Sequence, residues 1–147
     1  MANTTSGYES SRRSYDNYAI TLKGTNIFCL EDDILFAESL KMFLCNFDCD
    51  IQISNTTHDA ISMLTHANAT PDIIISDYHL NEENTGLDFL TQAQMQFGQT
   101  FEGIVLTSDN SRVVEQLVKR AGFHFVTKPI DPESFIIFLL SLVRNRK

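Results

Sequence analysis

From position 26 onward the chain alternates between two hydrophobic rhythms. Short apolar runs at 27–30, 51–53, 72–76, 103–106 and 124–126 have the length and the β-branched and aromatic content of strands. Between them, apolar residues recur at helical spacing. Phe36, Leu40, Phe43, Leu44 and Phe47 step along one face of a helix. Ala60, Leu64 and Ala67 mark a second helix, and Leu90, Ala93 and Phe97 a third. Val113, Val114, Leu117, Val118 and Ala121 mark a fourth, and Phe135, Ile136, Leu139, Leu142 and Val143 a fifth. The punctuation agrees. Asp131 sets a capping carboxylate ahead of Pro132 at a first helical position. Gly122 follows Ala121 as a helix stop. Arg144, Arg146 and Lys147 sit where a helix's carbonyl end favours cations.

Five strands alternating with five helices predict an α/β fold, a doubly wound parallel sheet with helices on both faces. Such sheets hold ligands outside the carboxyl ends of their strands. The residues just past each strand are therefore the candidate chemistry. These are Glu31, Asp32 and Asp33 after the first, Asp77 after the third, Thr107 and Ser108 after the fourth, and Lys128 and Pro129 after the fifth. Three carboxylates meeting on one rim are costly: at ~5 Å and an effective dielectric of ~20, each like-charge pair costs roughly 3 kcal/mol. A lysine offers one compensating charge and a divalent cation two, and hard oxygen ligands with open water positions suit Mg²⁺. A carboxylate beside Mg²⁺ and an ammonium group is a nucleophile towards phosphorus, giving an acyl phosphate. The Thr107 hydroxyl would then hydrogen-bond a phosphoryl oxygen.

Composition narrows the partners. At 147 residues and 43% apolar content the chain suits one domain with a real core. The net charge of −8 argues against nonspecific binding to nucleic acid or anionic membranes, which requires Lys and Arg. The longest apolar run, 135–140, is far short of the ~20 residues of a membrane span. Cys29, Cys45 and Cys49 are an odd number, and no signal-peptide core opens the chain, so reduced thiols in a cytoplasmic protein are expected. Residues 1–18 contain no Val, Ile, Leu or Phe and read as a flexible tail or linker end. Ile20 and Leu22 alternate with polar neighbours, a weak strand signal ahead of Gly24. The expected division is a flexible tail or linker at 1–25 and a folded domain at 26–147.

The stretches FCLEDD at 28–33, IIISDYHL at 73–80, GIVLTS at 103–108 and FVTKP at 125–129 resemble, in order and spacing, the receiver domain of two-component response regulators. The resemblance covers about 26–147 and implies a flavodoxin-like sheet of strand order 2-1-3-4-5. It implies that Asp77 is the phosphoacceptor, taking a phosphoryl group from a phosphohistidine. It implies Mg²⁺ held by Asp32, Asp77, the backbone carbonyl of His79 and, through water, Glu31. Lys128 would contact the phosphoryl group, and Thr107 and Phe125 would form the switch. The signal would emerge on the face made by the fourth helix, fifth strand and fifth helix. The implied partners are a histidine kinase or histidine phosphotransfer protein and a downstream protein. The DYHL…TGLDFL style and the LKGTNIF lead-in resemble receivers attached to hybrid sensor kinases, so a C-terminal receiver of such a kinase and a stand-alone regulator are both open. Pairing of two copies through the last helix, as receivers often do, is permitted by the apolar content of 135–143. Two features depart from the family. Asn81 stands where many receivers carry proline, and Gly86 falls one position later than the common spacing. Both put the loop near the His79 carbonyl in question, but not the acceptor.

Blander readings compete. Asp77 alone would be a turn cap, and Glu31-Asp32-Asp33 a solvated turn with Asp33 capping the first helix. Thr107 fits an ordinary strand end, Lys128 a surface position, and Phe125 the core. Cys45 and Cys49 with His58 and His66 match no strong zinc spacing, and the cysteines read better as buried small residues. His79 and Asp109, beside the site, are candidates to tune phosphoryl hydrolysis or plain loop residues. Arg12 and Arg13 read as solvated. Two rival functions remain: a phosphorylation-independent pseudo-receiver scaffold, and a Mg²⁺-dependent aspartyl phosphatase. The intact acidic and lysine set counts against the first. Against the second stand His79, where such enzymes carry an acid, and the lack of a cap domain.

Overall fold

A computed structural model describes residues 22–146. The tail reading, with Arg12, Arg13 and Ile20, and the placement of Lys147 lie outside those residues. The strands are β1 (Asn26–Leu30), β2 (Asp50–Ser54), β3 (Ile73–Ser76), β4 (Glu102–Thr107) and β5 (His124–Thr127). The helices are α1 (Ile34–Cys45), α2 (Thr57–Thr65), α3 (Gly86–Phe97), α4 (Arg112–Arg120) and α5 (Pro132–Arg146). All four strand pairings are parallel, in the order β2-β1-β3-β4-β5. This is the doubly wound sheet that the alternation predicts.

Successive side chains of a strand point to opposite faces, and here both faces are covered. Ile27, Cys29, Ile73, Ile75, Ile104 and Leu106 pack with Leu40 and Leu44 of α1 and Phe135, Ile136 and Leu139 of α5. Phe28, Leu30, Ile74 and Val105 face the other way, onto Ala60 and Leu64 of α2, Phe89 and Leu90 of α3, and Val114 and Val118 of α4. Strands buried on both sides need continuous apolar runs rather than alternation, which is why the strands read so clearly. Leu22, read with the strand-like lead-in, is not in the sheet. It is fully buried in the α1–α5 core, and its carbonyl accepts from the Thr25 N–H at 2.9 Å.

The helix starts follow the chemistry of their first residues. Asp33 caps α1, its carboxylate accepting from the Phe36 N–H at 3.2 Å, and Asp131 accepts from the Ser134 N–H at 3.2 Å. Gly122 takes φ 88° just past α4, the left-handed stop that glycine permits. Two expectations need correction. Cys45 is exposed, not buried, because it ends α1 on the solvent side. The α2 stripe ends earlier than expected: the helix stops at Thr65, leaving Ala67 exposed beyond it.

Thr85 and Asp88 form a complete capping box at the start of α3. Thr85→Ala is expected to lower stability by about 1 kcal/mol, a melting-temperature loss of a few degrees by circular dichroism. An unchanged transition would show that the box contributes nothing.

Candidate functional site

The carboxyl ends of β1, β3, β4 and β5 deliver their next residues to one rim, because the strands are parallel and in register. Backbone bonds fix the turns. The Glu31 N–H donates to Ser54 O at 3.0 Å, Asp77 N–H to Leu30 O at 3.1 Å, and Lys128 N–H to Thr107 O at 2.8 Å. Glu31, Asp32 and Asp77 thereby each offer a carboxylate oxygen within 4.8 Å of the others. Among the described residues this is the one group of three or more metal-ligating side chains.

Lys128 reaches into this cluster. Its Nζ lies 2.6 Å from Glu31 Oε1 and 3.5 Å from Asp77 Oδ2, and 4.1 Å from the centre of the Phe36 ring. Glu31 is 1% exposed. Burial pushes its carboxyl pKa well above the usual range, with Asp77 adding, and the Lys128 and Asp33 hydrogen bonds only partly offset this. Burial would depress Lys128, but its bond to Glu31 and the charges of Glu31 and Asp77 outweigh that and raise it. The two shifts pull opposite ways on the pair, one towards a neutral acid and one towards a charged amine. The 2.6 Å contact, with a second carboxylate behind it, favours the charged lysine. One ammonium facing three carboxylates then leaves the cluster short of positive charge. An all-oxygen donor set with a charge deficit fits a hard divalent cation such as Mg²⁺.

The remaining predicted residues lie around this centre. Thr107 is fully buried at the end of β4, and its hydroxyl accepts from the Asp109 N–H at 3.1 Å. His79 is exposed, and its Nε2 meets Asp109 Oδ2 at 2.7 Å. That contact, then the Ser111 N–H, holds the Asp109 carboxyl below its ordinary pKa. Phe125 is half-buried on the edge strand β5 beside Val105, packed against the α2–α4 core. Four contributors escaped the sequence reading. Phe36 counted as a core residue of α1, yet its ring lies under Lys128. The Asn81 N–H donates to Asp32 Oδ2 at 3.1 Å, and the Asn55 side-chain amide to Glu31 O at 2.9 Å. Glu82 binds the start of α2. Only the unusual loop after Asp77 pointed towards any of them.

That loop also requires a glycine at position 86. The Gly86 N–H donates to Tyr78 O at 2.8 Å, and a Cβ on Gly86 would lie 1.8 Å from Asp77 O. The loop folds its backbone directly against the acceptor candidate's carbonyl, where a side chain has no room.

A single parallel sheet covered by helices on both faces, with an acidic trio and a lysine on its carboxyl rim, defines the class. The chain belongs to the response regulator receiver domain family, whose model matches residues 27–139. It is 29% identical over 141 residues to the two-component response regulator ARR21 of Arabidopsis thaliana, covering 94% of this chain. The chain spans about a fifth of that relative's length, 22%. Its fold is similar to a receiver domain protein of Clostridium thermocellum, with TM-score 0.75 at 15% identity, covering 83% of this chain and 96% of that one. A similar match is the chemotaxis protein CheY4 of Vibrio cholerae, with TM-score 0.72 at 22% identity, covering 80% and 98%.

Proposed function

We propose that this receiver domain accepts a phosphoryl group on Asp77 and thereby changes its binding to a downstream protein. The observation that carries the reading is the meeting of Glu31, Asp32 and Asp77 within 4.8 Å, with Lys128 Nζ 3.5 Å from Asp77. An Asp77 oxygen attacks phosphorus, the bond from phosphorus to the donor histidine nitrogen breaks, and that nitrogen keeps the electron pair. Lys128 exchanges part of its carboxylate contact for a phosphoryl oxygen. The Thr107 hydroxyl donates to another, and Phe125 turns inward as Thr107 moves. The carboxylates of Glu31, Asp32 and Asp77 and the His79 backbone carbonyl would hold Mg²⁺, which when bound offsets negative charge on the phosphoryl oxygens. The donor is a histidine kinase or a histidine phosphotransfer protein. A cytoplasmic setting belongs to this reading, one in which the thiols of Cys29, Cys45 and Cys49 stay reduced.

Acetyl phosphate replaces the protein donor in the test. With Mg²⁺, intact mass is expected to gain one phosphoryl group in most molecules, and excess chelator to abolish the gain. No modified species under either condition would sink the reading in favour of a scaffold. Steady turnover of small phosphate esters would favour a phosphatase.

A further inference from the structure

The loop joining β3 to α3 carries one contact that the phosphoacceptor chemistry does not use. Glu82 is exposed, yet its carboxylate accepts from the Thr57 N–H, 3.3 Å to each oxygen, and from the Thr57 hydroxyl. Thr57 opens α2, so its N–H is one of the first-turn donors that a helix cannot satisfy internally. A carboxylate there also meets the positive end of the helix dipole. Glu82 thus pins the loop to a helix 25 positions away in sequence. Its neighbour Asn81 gives its backbone N–H to Asp32 Oδ2 at 3.1 Å. Leu80, one residue further back, is buried in the same apolar cluster that takes in Ala60 and Leu64 of that helix. The anchor and the Asp32 contact are therefore made by adjacent residues of one loop.

We infer that Glu82 is a positioning residue: by tying the loop to α2 it keeps the Asn81 N–H on Asp32 and presets the acidic trio for a divalent cation. This rests on the Mg²⁺-assisted reading above. Without the anchor Asp32 loses its fixed orientation, and the ordering falls on cation binding. Losing an outer-shell partner typically costs 10–100-fold in metal affinity. Glu82 acts one link further out, so a loss of about three- to tenfold is expected.

The test uses the full chain with Mg²⁺ alone, by calorimetric titration, and metal-free amide exchange at Asn81. Glu82→Ala is expected to raise the Mg²⁺ half-saturation about three- to tenfold and to speed Asn81 exchange. The maximal rate of phosphoryl uptake from acetyl phosphate at saturating Mg²⁺ stays unchanged. Glu82→Gln, which keeps an acceptor, falls between. Thr57→Val combined with Glu82→Ala is expected to be no worse than Glu82→Ala alone, since both break one contact. An unchanged Mg²⁺ half-saturation in Glu82→Ala overturns the inference, whatever happens to Asn81 exchange. A wild-type chain that binds no Mg²⁺ overturns both this inference and the reading it rests on.

Discussion

Asp77→Asn is expected to leave the domain folded and wholly unable to take up a phosphoryl group. Asparagine has nearly the same shape, so packing at this half-buried position is kept. Its amide has no anionic oxygen to attack phosphorus, and its Nδ2 is a donor where an acceptor faced Lys128, 3.5 Å away. The modified fraction in acetyl phosphate and Mg²⁺ should fall from most of the protein to none detectable by intact mass. Mg²⁺ affinity should fall roughly tenfold or more, because one of three clustered carboxylates is gone. Thermal stability should hold or rise slightly, since a like-charge contact is relieved. A modified species at wild-type level in this variant would place the acceptor elsewhere.

Gly86→Ala is the second large effect, and it acts on folding first. The added Cβ would lie 1.8 Å from Asp77 O, 2.7 Å from Ser76 Oγ and 2.8 Å from Asp77 C. Two of those three atoms are backbone, so no side-chain rotation relieves the overlap. The turn from Tyr78 to Gly86 must open, breaking the 2.8 Å bond between Gly86 N–H and Tyr78 O. Overpacking of this kind costs about 3 kcal/mol or more, which corresponds to a melting-temperature loss of roughly 10 °C in a domain of this size. Molecules that still fold would carry a displaced Asp77 carbonyl and slower phosphoryl uptake. Wild-type melting together with wild-type uptake would mean that the backbones do not approach so closely.

The strands and the identity of the rim residues were legible because both follow from short-range chemistry. A parallel strand covered on both faces must be apolar at every position, as 73–75 are. A polar residue that follows such a run is then the first free to meet a ligand. This places Glu31, Asp32, Asp77 and Lys128 without knowledge of any contact. Helix burial was less legible. Val113 and Leu117 belong to the α4 stripe but are 67% and 42% exposed, because α4 turns only Val114 and Val118 to the core. Periodicity identifies a helix, while the rotation of that helix on the sheet decides which members of a broad stripe are covered.

Local pattern was thus sufficient for the element order, the parallel sheet and the four charged groups at strand ends. Distances between those groups, and the roles of their neighbours, depend on long-range packing. The Phe36 ring lies under Lys128 because α1 and the chain after β5 share one side of the sheet. His79 meets Asp109 across 30 positions, and Glu82 meets Thr57 across 25. In the last two contacts, loop residues that carry no periodic signal, His79, Asp109 and Glu82, meet each other or the first residue of α2. Their energies come from charge and hydrogen-bond geometry, which exist only once the sheet has brought the loops together.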